Sequence, residues 1–329
     1  MSLSEQQIRE QSIQCYTQWA DQWREQAKYH GERFEMKHFN DLHQIGVGRA
    51  ALCIANGYSF EENIETIKKY HHNVDIVACD KTVGHCLDNG ITPQYVILCD
   101  ANVSYDKYLD KWKDQLSETV LIANVCASKK WATCGNWKDV YFFVNQDVLK
   151  SEAEFMAISG CENSIVAGTN VSNAMVIILT QSNNDGARNF MGYDKILLTG
   201  FDYSWFDHYY AFDHAGGGKR NYMRNGYLCT LGGDFAFTSP NLMFSAKWFE
   251  QYIKAFRVPV VQCTKNSLVA GLKQGDLAEQ MQYEYQPEDS QFVRDKVKLR
   301  DELECKLAEV NERLHSIAFD HQLSFQRTT

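Results

Sequence analysis

The chain has no excess of basic residues. Its 33 Lys and Arg are outnumbered by 42 Asp and Glu, which leaves a formal net charge of −9 and a pI near 5.6 over 329 residues. A general nucleic-acid binder covers phosphates with a basic surface, so nucleic acid is not an expected partner. No apolar run is long enough to span a bilayer, and the polar start MSLSEQQIREQ does not read as a signal peptide. A cytoplasmic protein with no transmembrane segment is expected. Cys-x-x-Cys pairs are also lacking, although there are 11 cysteines. Cys79, His85 and Cys86 do not match a zinc spacing. Cys53, Cys79 and Cys99 stand inside apolar runs, where a free thiol behaves as a small hydrophobe, so reduced thiols and no bound metal are expected. Low-complexity stretches and repeats are missing. So are G-x-G-x-x-G, G-x-x-x-x-G-K-[ST] and G-x-S-x-G, so dinucleotide, P-loop and hydrolase readings have no motif behind them.

What is present is a soluble globular composition, 44% hydrophobic and 23% charged, with ample material for a core. The organising stretch is Ala50–Ser59, AALCIANGYS, a short apolar burst closed by Asn56-Gly57. A strand buried on both faces reads this way, without alternation, and is predicted at Ala51–Ala55. Further strands are predicted at Val74–Cys79, Tyr95–Cys99, Val120–Asn124, Val140–Val144 and Lys195–Thr199. Helices are predicted at Glu61–Tyr70, Thr82–Asn89, Tyr105–Leu116 and Ser172–Gln181. This alternation predicts an α/β protein with a Rossmann-like, mostly parallel sheet covered by helices on both faces. Asn241–Phe256 reads as an amphipathic helix. Val258–Cys263, carrying Pro259, reads as a strand at the sheet edge.

The domain plan follows. Residues 1–45, with Ile8, Tyr16, Trp19 and Trp23 on one helical face, read as an N-terminal helical extension. Residues 46–272 form the catalytic domain, interrupted at about 201–240 by a Gly- and aromatic-rich stretch that reads as a lid. Residues 273–329 form a linker and a C-terminal helix. In that helix Leu303, Leu307, Val310, Leu314 and Ile317 make a seam of about two heptads, either docked on the same domain or used in a homo-oligomer.

Three acids close apolar strands: Asp80 after VDIVAC, Asp100 after YVILC and Asp202 after ILLTGF. In a parallel sheet those carboxyl ends converge on the edge where ligands bind. A strand-end Asp can also simply cap the next helix. Together with the Asn56-Gly57 loop, the three acids predict a nucleotide or phosphate-ligand site. Gly168-Thr169-Asn170-Val171-Ser172 leads into another helix and offers amides and two hydroxyls to an anion, with an N-cap role for Ser172 as the alternative. Gly216-Gly217-Gly218-Lys219-Arg220 reads equally as an anion holder or a hinge.

Ile54-Ala55-Asn56-Gly57-Tyr58-Ser59-Phe60 resembles the G-N-G-P-S-L loop of two related groups. Asn89-Gly90-Ile91-Thr92-Pro93-Gln94-Tyr95 with Asp100 resembles an element of the first, the MptE-like family. That family comprises archaeal 6-hydroxymethylpterin diphosphokinases and the Maf (motility accessory factor) proteins implicated in flagellin glycosylation. The second group is the Campylobacter-type bacterial sialyltransferases. It is matched by Gly192–Ile196, Gly200-Phe201-Asp202-Tyr203, Tyr210-Ala211-Phe212-Asp213 and Asn266–Ala270. The resemblance runs from about Ala50 to Gly271. It implies that Asn56 and Gly57, with Ser59 in the same loop, contact a nucleotide. Asp80 and Asp100 would line its base or ribose, and Thr169 and Ser172 would lie beside sugar or phosphate. Tyr210 would assist the departing phosphate. Tyr58 replaces the family's proline, and Ser204 stands where the sialyltransferases have a second tyrosine. No His stands near Thr238-Ser239-Pro240, where their general base falls, which leaves His208 or His214 for that role.

The function expected is therefore a nucleotide-dependent transferase. The favoured form is a glycosyltransferase that draws on a CMP-activated sialic or pseudaminic-type sugar and needs no metal, with a hydroxyl-bearing acceptor. The alternative is an ATP- and Mg²⁺-dependent diphosphokinase with Asp100 and Asp202 as metal carboxylates. A second alternative is an inactive nucleotide-binding or scaffold protein that keeps the sheet.

Overall fold

Short apolar runs without alternation become strands whose two faces are both covered. The computed structural model of the chain describes residues 5–146, 149–168, 170–180, 189–206, 208–213, 227–231, 234–253, 259–264 and 266–282. All lie in a unit running from Met1 to Glu284. The heptad seam from Leu303 to Ile317 lies outside the described residues.

Along the chain the elements are helix α1 (Glu5–Arg33), strand β1 (Ala50–Ile54), α2 (Tyr58–Tyr70), β2 (Asp75–Cys79), α3 (Val83–Asp88), β3 (Tyr95–Leu98) and α4 (Tyr105–Tyr108). Then come β4 (Val120–Asn124), α5 (Lys129–Cys134), β5 (Asp139–Asn145), α6 (Glu152–Ser159), β6 (Ser164–Ile165), α7 (Val171–Thr180) and β7 (Lys195–Thr199). Last are β8 (Tyr227–Leu231), β9 (Asp234–Thr238), α8 (Pro240–Ile253), β10 (Val260–Gln262), β11 (Lys273–Gln274) and α9 (Leu277–Met281). Among the described residues nine strands form one sheet in the order β11-β10-β7-β1-β2-β3-β4-β5-β6, and every pairing within it is parallel. The fold is α/β and Rossmann-like.

Successive strand residues enter opposite cores, as the pleat requires. Leu52, Ile54, Ile76 and Ala78 join Phe60, Ile67, Val83, Trp131, Phe155 and Leu277 on one face. Ala51, Cys53, Val77 and Cys79 join Ala174, Met175, Val176, Ile178 and Leu179 of α7, with Ala246 and Phe249 of α8, on the other. At about 25 cal/mol per Å² of buried apolar surface, two such cores supply the main stabilisation of the sheet. Helix α1 packs on α6: the rings of Trp23 and Phe155 meet edge-on, and Arg24 Nε donates to Glu154 at 2.6 Å. Among the described residues no helix is long and apolar enough to cross a membrane.

The six strands predicted up to Thr199 are present, each within a residue or two. Three details differ. Val258–Cys263 is not the edge: β10 lies between β7 and β11. Pro259 immediately precedes it, where a strand needs no N–H from it, and its carbonyl accepts from Ile196 N at 2.9 Å. Residues 273–282, read as linker, supply β11 and α9, and α9 buries Leu277 and Met281 against the α2 side of the sheet. Tyr105–Leu116 is a single α-turn followed by a 3-10 stretch, Asp110–Gln115, rather than one helix. The stretch read as a lid contains the antiparallel hairpin β8–β9, which is tied to the segment after β7 by reciprocal 2.8 Å bonds between Trp205 and Phe237.

The chain lays β2 to β6 outward on one side of β1, then returns to place β7 on the other. The junction of β1 and β7 is thus the switch point where α/β sheets open a crevice at the carboxyl ends of their strands.

Candidate functional site

At this switch point the loops leaving β1 and β7 are packed in contact. Gly57 N donates to Gly200 O at 3.0 Å. A Cβ on Gly57 would stand 2.4 Å from Gly200 O and 2.5 Å from Asp202 Oδ2, and one on Gly200, whose φ is +74°, would stand 1.9 Å from Ala55 O. Both positions demand glycine. Ser59, in the first turn of α2, donates from its amide to Asp202 Oδ2 (2.7 Å) and from its hydroxyl to Asp202 Oδ1 (2.6 Å). Its Oγ also accepts from Gly200 N at 2.8 Å. Ser59 and Asp202 are buried, and burial raises the Asp202 carboxyl to about 6 despite the Ser59 bonds.

Beside this joint opens a cavity of about 400 Å³. Its floor comes from the ends of three neighbouring strands: Asn56 and Gly57 after β1, Cys79, Asp80 and Lys81 at β2, and Cys99 and Asp100 after β3. Phe201, Tyr203 and Ser204 after β7 form one wall. Asn170, Val171 and Ser172 at the start of α7 form another, and Tyr209 and Tyr210 close over it. The Asn170 side chain caps α7 by accepting from Asn173 N at 2.9 Å, so the cap is Asn170 and not Ser172. The positive end of the α7 dipole therefore stands at the cavity wall. Tyr203 Oη donates to Asn173 Oδ1 at 2.6 Å and braces the same turn.

The charges are arranged closely. Asp80 is 2% exposed and accepts from Lys81 N at 2.7 Å. Burial raises its carboxyl to about 6, opposed by Lys81 and supported by the neighbouring charge of Asp100. Asp100 is exposed at the rim, with Oδ1 accepting from Asn102 N. Lys81 Nζ donates to Tyr210 Oη at 3.1 Å and lies 4.7 Å from the Tyr210 ring centroid. Burial disfavours the Lys81 charge, but the Tyr210 oxygen and the Asp80 carboxylate outweigh it and hold the ammonium protonated. Among the described residues the buried Asn56 Oδ1 meets no hydrogen-bond donor, although the Asn56 carbonyl accepts from Ala211 N at 3.1 Å. A buried acceptor left open on a cavity wall is a place for a ligand donor.

Residues 208–213 are clasped from outside. Glu61 Oε2 accepts from Phe212 N at 2.9 Å and faces His208 Nε2 at 3.0 Å. The Phe212 ring stacks on His85 with centroids 4.8 Å apart. With the Ala211–Asn56 bond these contacts fix Tyr210 over the cavity.

A model of one protein family, described as 6-hydroxymethylpterin diphosphokinase MptE-like, matches residues 25–208, more than half of the chain. The chain belongs to the MptE-like family. The matched span holds β1 to β7, both switch-point loops and the Asp80–Lys81 and Asp100 corners of the cavity. A solved structure titled MAf glycosyltransferase, from Magnetospirillum magneticum AMB-1, shares the fold with a TM-score of 0.59 at 14% identity. The superposition covers 84% of this chain and 42% of that one, so the chain spans less than half the length of that glycosyltransferase. No curated protein sequence matches the chain.

In this MptE-like chain the cavity gathers Asn56, Gly57, Asp80, Asp100, Ser172 and Tyr210 from the residues expected at the site. Ser59 and Asp202 do not line the cavity; they are bonded to each other at the joint of the two loops. His208 is held by Glu61 and does not line the cavity. Gly168 does not line the cavity either. Its φ of +79° turns the chain into α7, with Asn173 Cβ 2.8 Å and Trp248 2.9 Å from where a Cβ would stand. Thr169, His214 and Gly216–Arg220 lie outside the described residues. Among the described residues no group of three or more His, Cys, Asp or Glu is placed to hold a metal ion. Sequence reasoning missed Lys81, Asn170, Tyr203 and Tyr209. For Lys81 a signal existed: it is a lone cation directly after a strand-end acid.

Proposed function

We propose that the protein is a nucleotide-dependent transferase that moves an acidic nine-carbon sugar from a CMP-activated donor to an acceptor hydroxyl. Membership in the MptE-like family and the fold shared with a glycosyltransferase both support group transfer from a nucleotide. The observation that carries the sugar-transfer reading is Tyr210. Its phenol belongs to the lining of the switch-point cavity, which the first turn of α7 also lines. A phenol there can donate a hydrogen bond to a phosphate oxygen as charge develops on it, and the α7 terminus adds its dipole.

In this reaction the acceptor oxygen bonds to the anomeric carbon as the carbon–oxygen bond to phosphate breaks. The bonding pair leaves on the phosphate, and the acceptor proton passes to a base. His208 is engaged by Glu61, whereas Asp80 is on the cavity floor with its carboxyl raised to about 6. A carboxylate of that basicity is ionised at neutral pH and still takes a proton more readily than an ordinary one. Asp80 is therefore the base in this reading. Asn56 Oδ1 is the open acceptor for a donor group of the nucleotide.

The second reading, diphosphate transfer from ATP to a hydroxymethylpterin, is favoured by the description of the matching family model. That chemistry calls for Mg²⁺ on the phosphates. The expected pair, Asp100 and Asp202, is not brought to one wall: Asp100 lines the cavity, whereas Asp202 does not and is bonded by Ser59.

The discriminating experiment exposes the protein to CMP, CMP-sialic acid, and ATP with Mg²⁺ and a hydroxymethylpterin, following thermal shift and product release. Cytidine-selective stabilisation with CMP release supports sugar transfer. Mg²⁺-dependent AMP formation overturns it in favour of the second reading. No response to any nucleotide overturns both.

A further inference from the structure

Lys81 is the one basic side chain among the described residues that line the cavity. Its part-buried ammonium has its charge favoured by the Asp80 carboxylate but is not bonded to it. Among the described residues it makes no ion pair within 4.0 Å, and its hydrogen-bond partner is a neutral phenol, Tyr210 Oη at 3.1 Å. A partly desolvated charge without a bonded counter-ion is costly, and a chain of net charge −9 had many carboxylates to offer. The nearest, Asp80, gives one oxygen to the Lys81 amide and not to its ammonium. The remaining donors of the ammonium, together with the α7 dipole at the wall of the same cavity, make a place for an anion.

The Tyr210 contact has a direction. An ammonium has only donors, so the phenol oxygen accepts from Lys81, and the phenol hydrogen must then point away from Nζ. The same cation lies 4.7 Å from the ring centroid, a distance at which it is also attracted to the ring face. Lys81 thus fixes both the position and the polarity of the Tyr210 hydroxyl.

We propose that Lys81 is the phosphate-binding residue of the site: it holds the nucleotide phosphate and turns the Tyr210 O–H toward it. The inference rests on the transferase reading above. As the anomeric carbon–oxygen bond breaks and its electron pair moves to the phosphate, the ammonium is the fixed counter-charge and Tyr210 the hydrogen-bond donor. Neither loses its proton, and the acceptor proton goes to Asp80. The ligand class is a nucleoside monophosphate ester, with the phosphate at Lys81 and its donor groups toward Asn56.

The test compares the wild-type protein with Lys81→Met and Lys81→Arg by titration calorimetry against CMP and cytidine, with melting curves to confirm folding. Lys81→Met should weaken CMP roughly 10- to 100-fold, the equivalent of one lost charge-assisted hydrogen bond, and leave cytidine unchanged. Lys81→Arg should recover part of the CMP affinity, which a purely structural lysine would not require. Equal losses for CMP and cytidine, or no loss for either, overturn the assignment. A wild-type protein that prefers ATP to CMP refutes the sugar-transfer reading alone, and Lys81 is then judged on ATP against adenosine. A wild-type protein that binds no phosphate-bearing nucleotide overturns both.

Discussion

Ser59 and Asp202 stand 143 residues apart and meet through two hydrogen bonds, 2.7 Å from the Ser59 amide and 2.6 Å from its hydroxyl. Asp202 closes a strand, as expected of a functional acid, yet it works as the joint between the exits of β1 and β7. Asp202→Ala leaves two buried donors open, at about 1–3 kcal/mol each. Chemical denaturation should register a loss on the order of 2–4 kcal/mol. A stable Asp202→Ala that has lost turnover would instead return Asp202 to the chemistry.

Gly57→Ala and Gly200→Ala should both destabilise, with Gly200→Ala the more severe. The first forces a methyl against Gly200 O and Asp202 Oδ2. The second adds a left-handed φ to a 1.9 Å approach on Ala55 O. Overpacking of this kind costs about 1–3 kcal/mol, and melting temperatures in that order are expected. A Gly200→Ala protein that melts like wild type would show that the two loops are not packed this closely.

Tyr210→Phe removes the phenol donor and keeps the ring over Lys81. Steady-state kinetics should show turnover reduced roughly 10²- to 10³-fold, the scale of a lost transition-state donor. CMP affinity should stay within about threefold, less than one net hydrogen bond. Unchanged turnover removes Tyr210 from the mechanism.

Glu61 acts on the cavity from outside. Glu61→Ala frees the Phe212 amide and the His208 ring and should raise KM roughly three- to tenfold, about one net hydrogen bond. His208→Ala should do no more than this and should keep the shape of the pH–rate profile. Loss of the acidic limb of that profile in His208→Ala would make His208 the base.

The pH dependence of stability has a definite sign. Asp80 and Asp202 have carboxyls raised from 3.8 to about 6 in the fold, so between those values the native state binds more protons than the unfolded chain. Their contribution is complete below the ordinary value and is lost as pH rises through about 6. Melting temperatures across this window should fall less steeply with rising pH in Asp80→Asn than in the wild type. Parallel curves would refute the raised Asp80 carboxyl.

The strands to Thr199 were legible because a strand buried on both faces must be apolar along its length, whatever lies beside it. The misread edge has an equally local cause: Pro259 signals a missing N–H, but whether that N–H would have met a neighbour depends on β11, two residues long and with no sequence signature. The hairpin β8–β9 was hidden in a stretch whose Gly and aromatic content suits a loop as well as paired strands.

Asp80, Asp100 and Asp202 are equivalent in sequence, each an acid at the end of an apolar run, and their roles separate only in space. β7 returns to lie beside β1, so the loop after β7 meets the first turn of α2, and Ser59 takes Asp202. β2 and β3 lie on the other side of β1, where the segment after β7 brings Tyr210 to Lys81 rather than a donor to the acids, so Asp80 and Asp100 line the cavity. The sequence by itself determined the α/β class, the main strands and the edge of the sheet where the cavity opens. Tertiary structure alone decided which carboxylates bond within the fold and which line the cavity, and that Lys81 meets Tyr210. Hydrophobic pattern is a property of neighbouring residues, whereas the partner of a buried charge is set by strand order across more than a hundred residues.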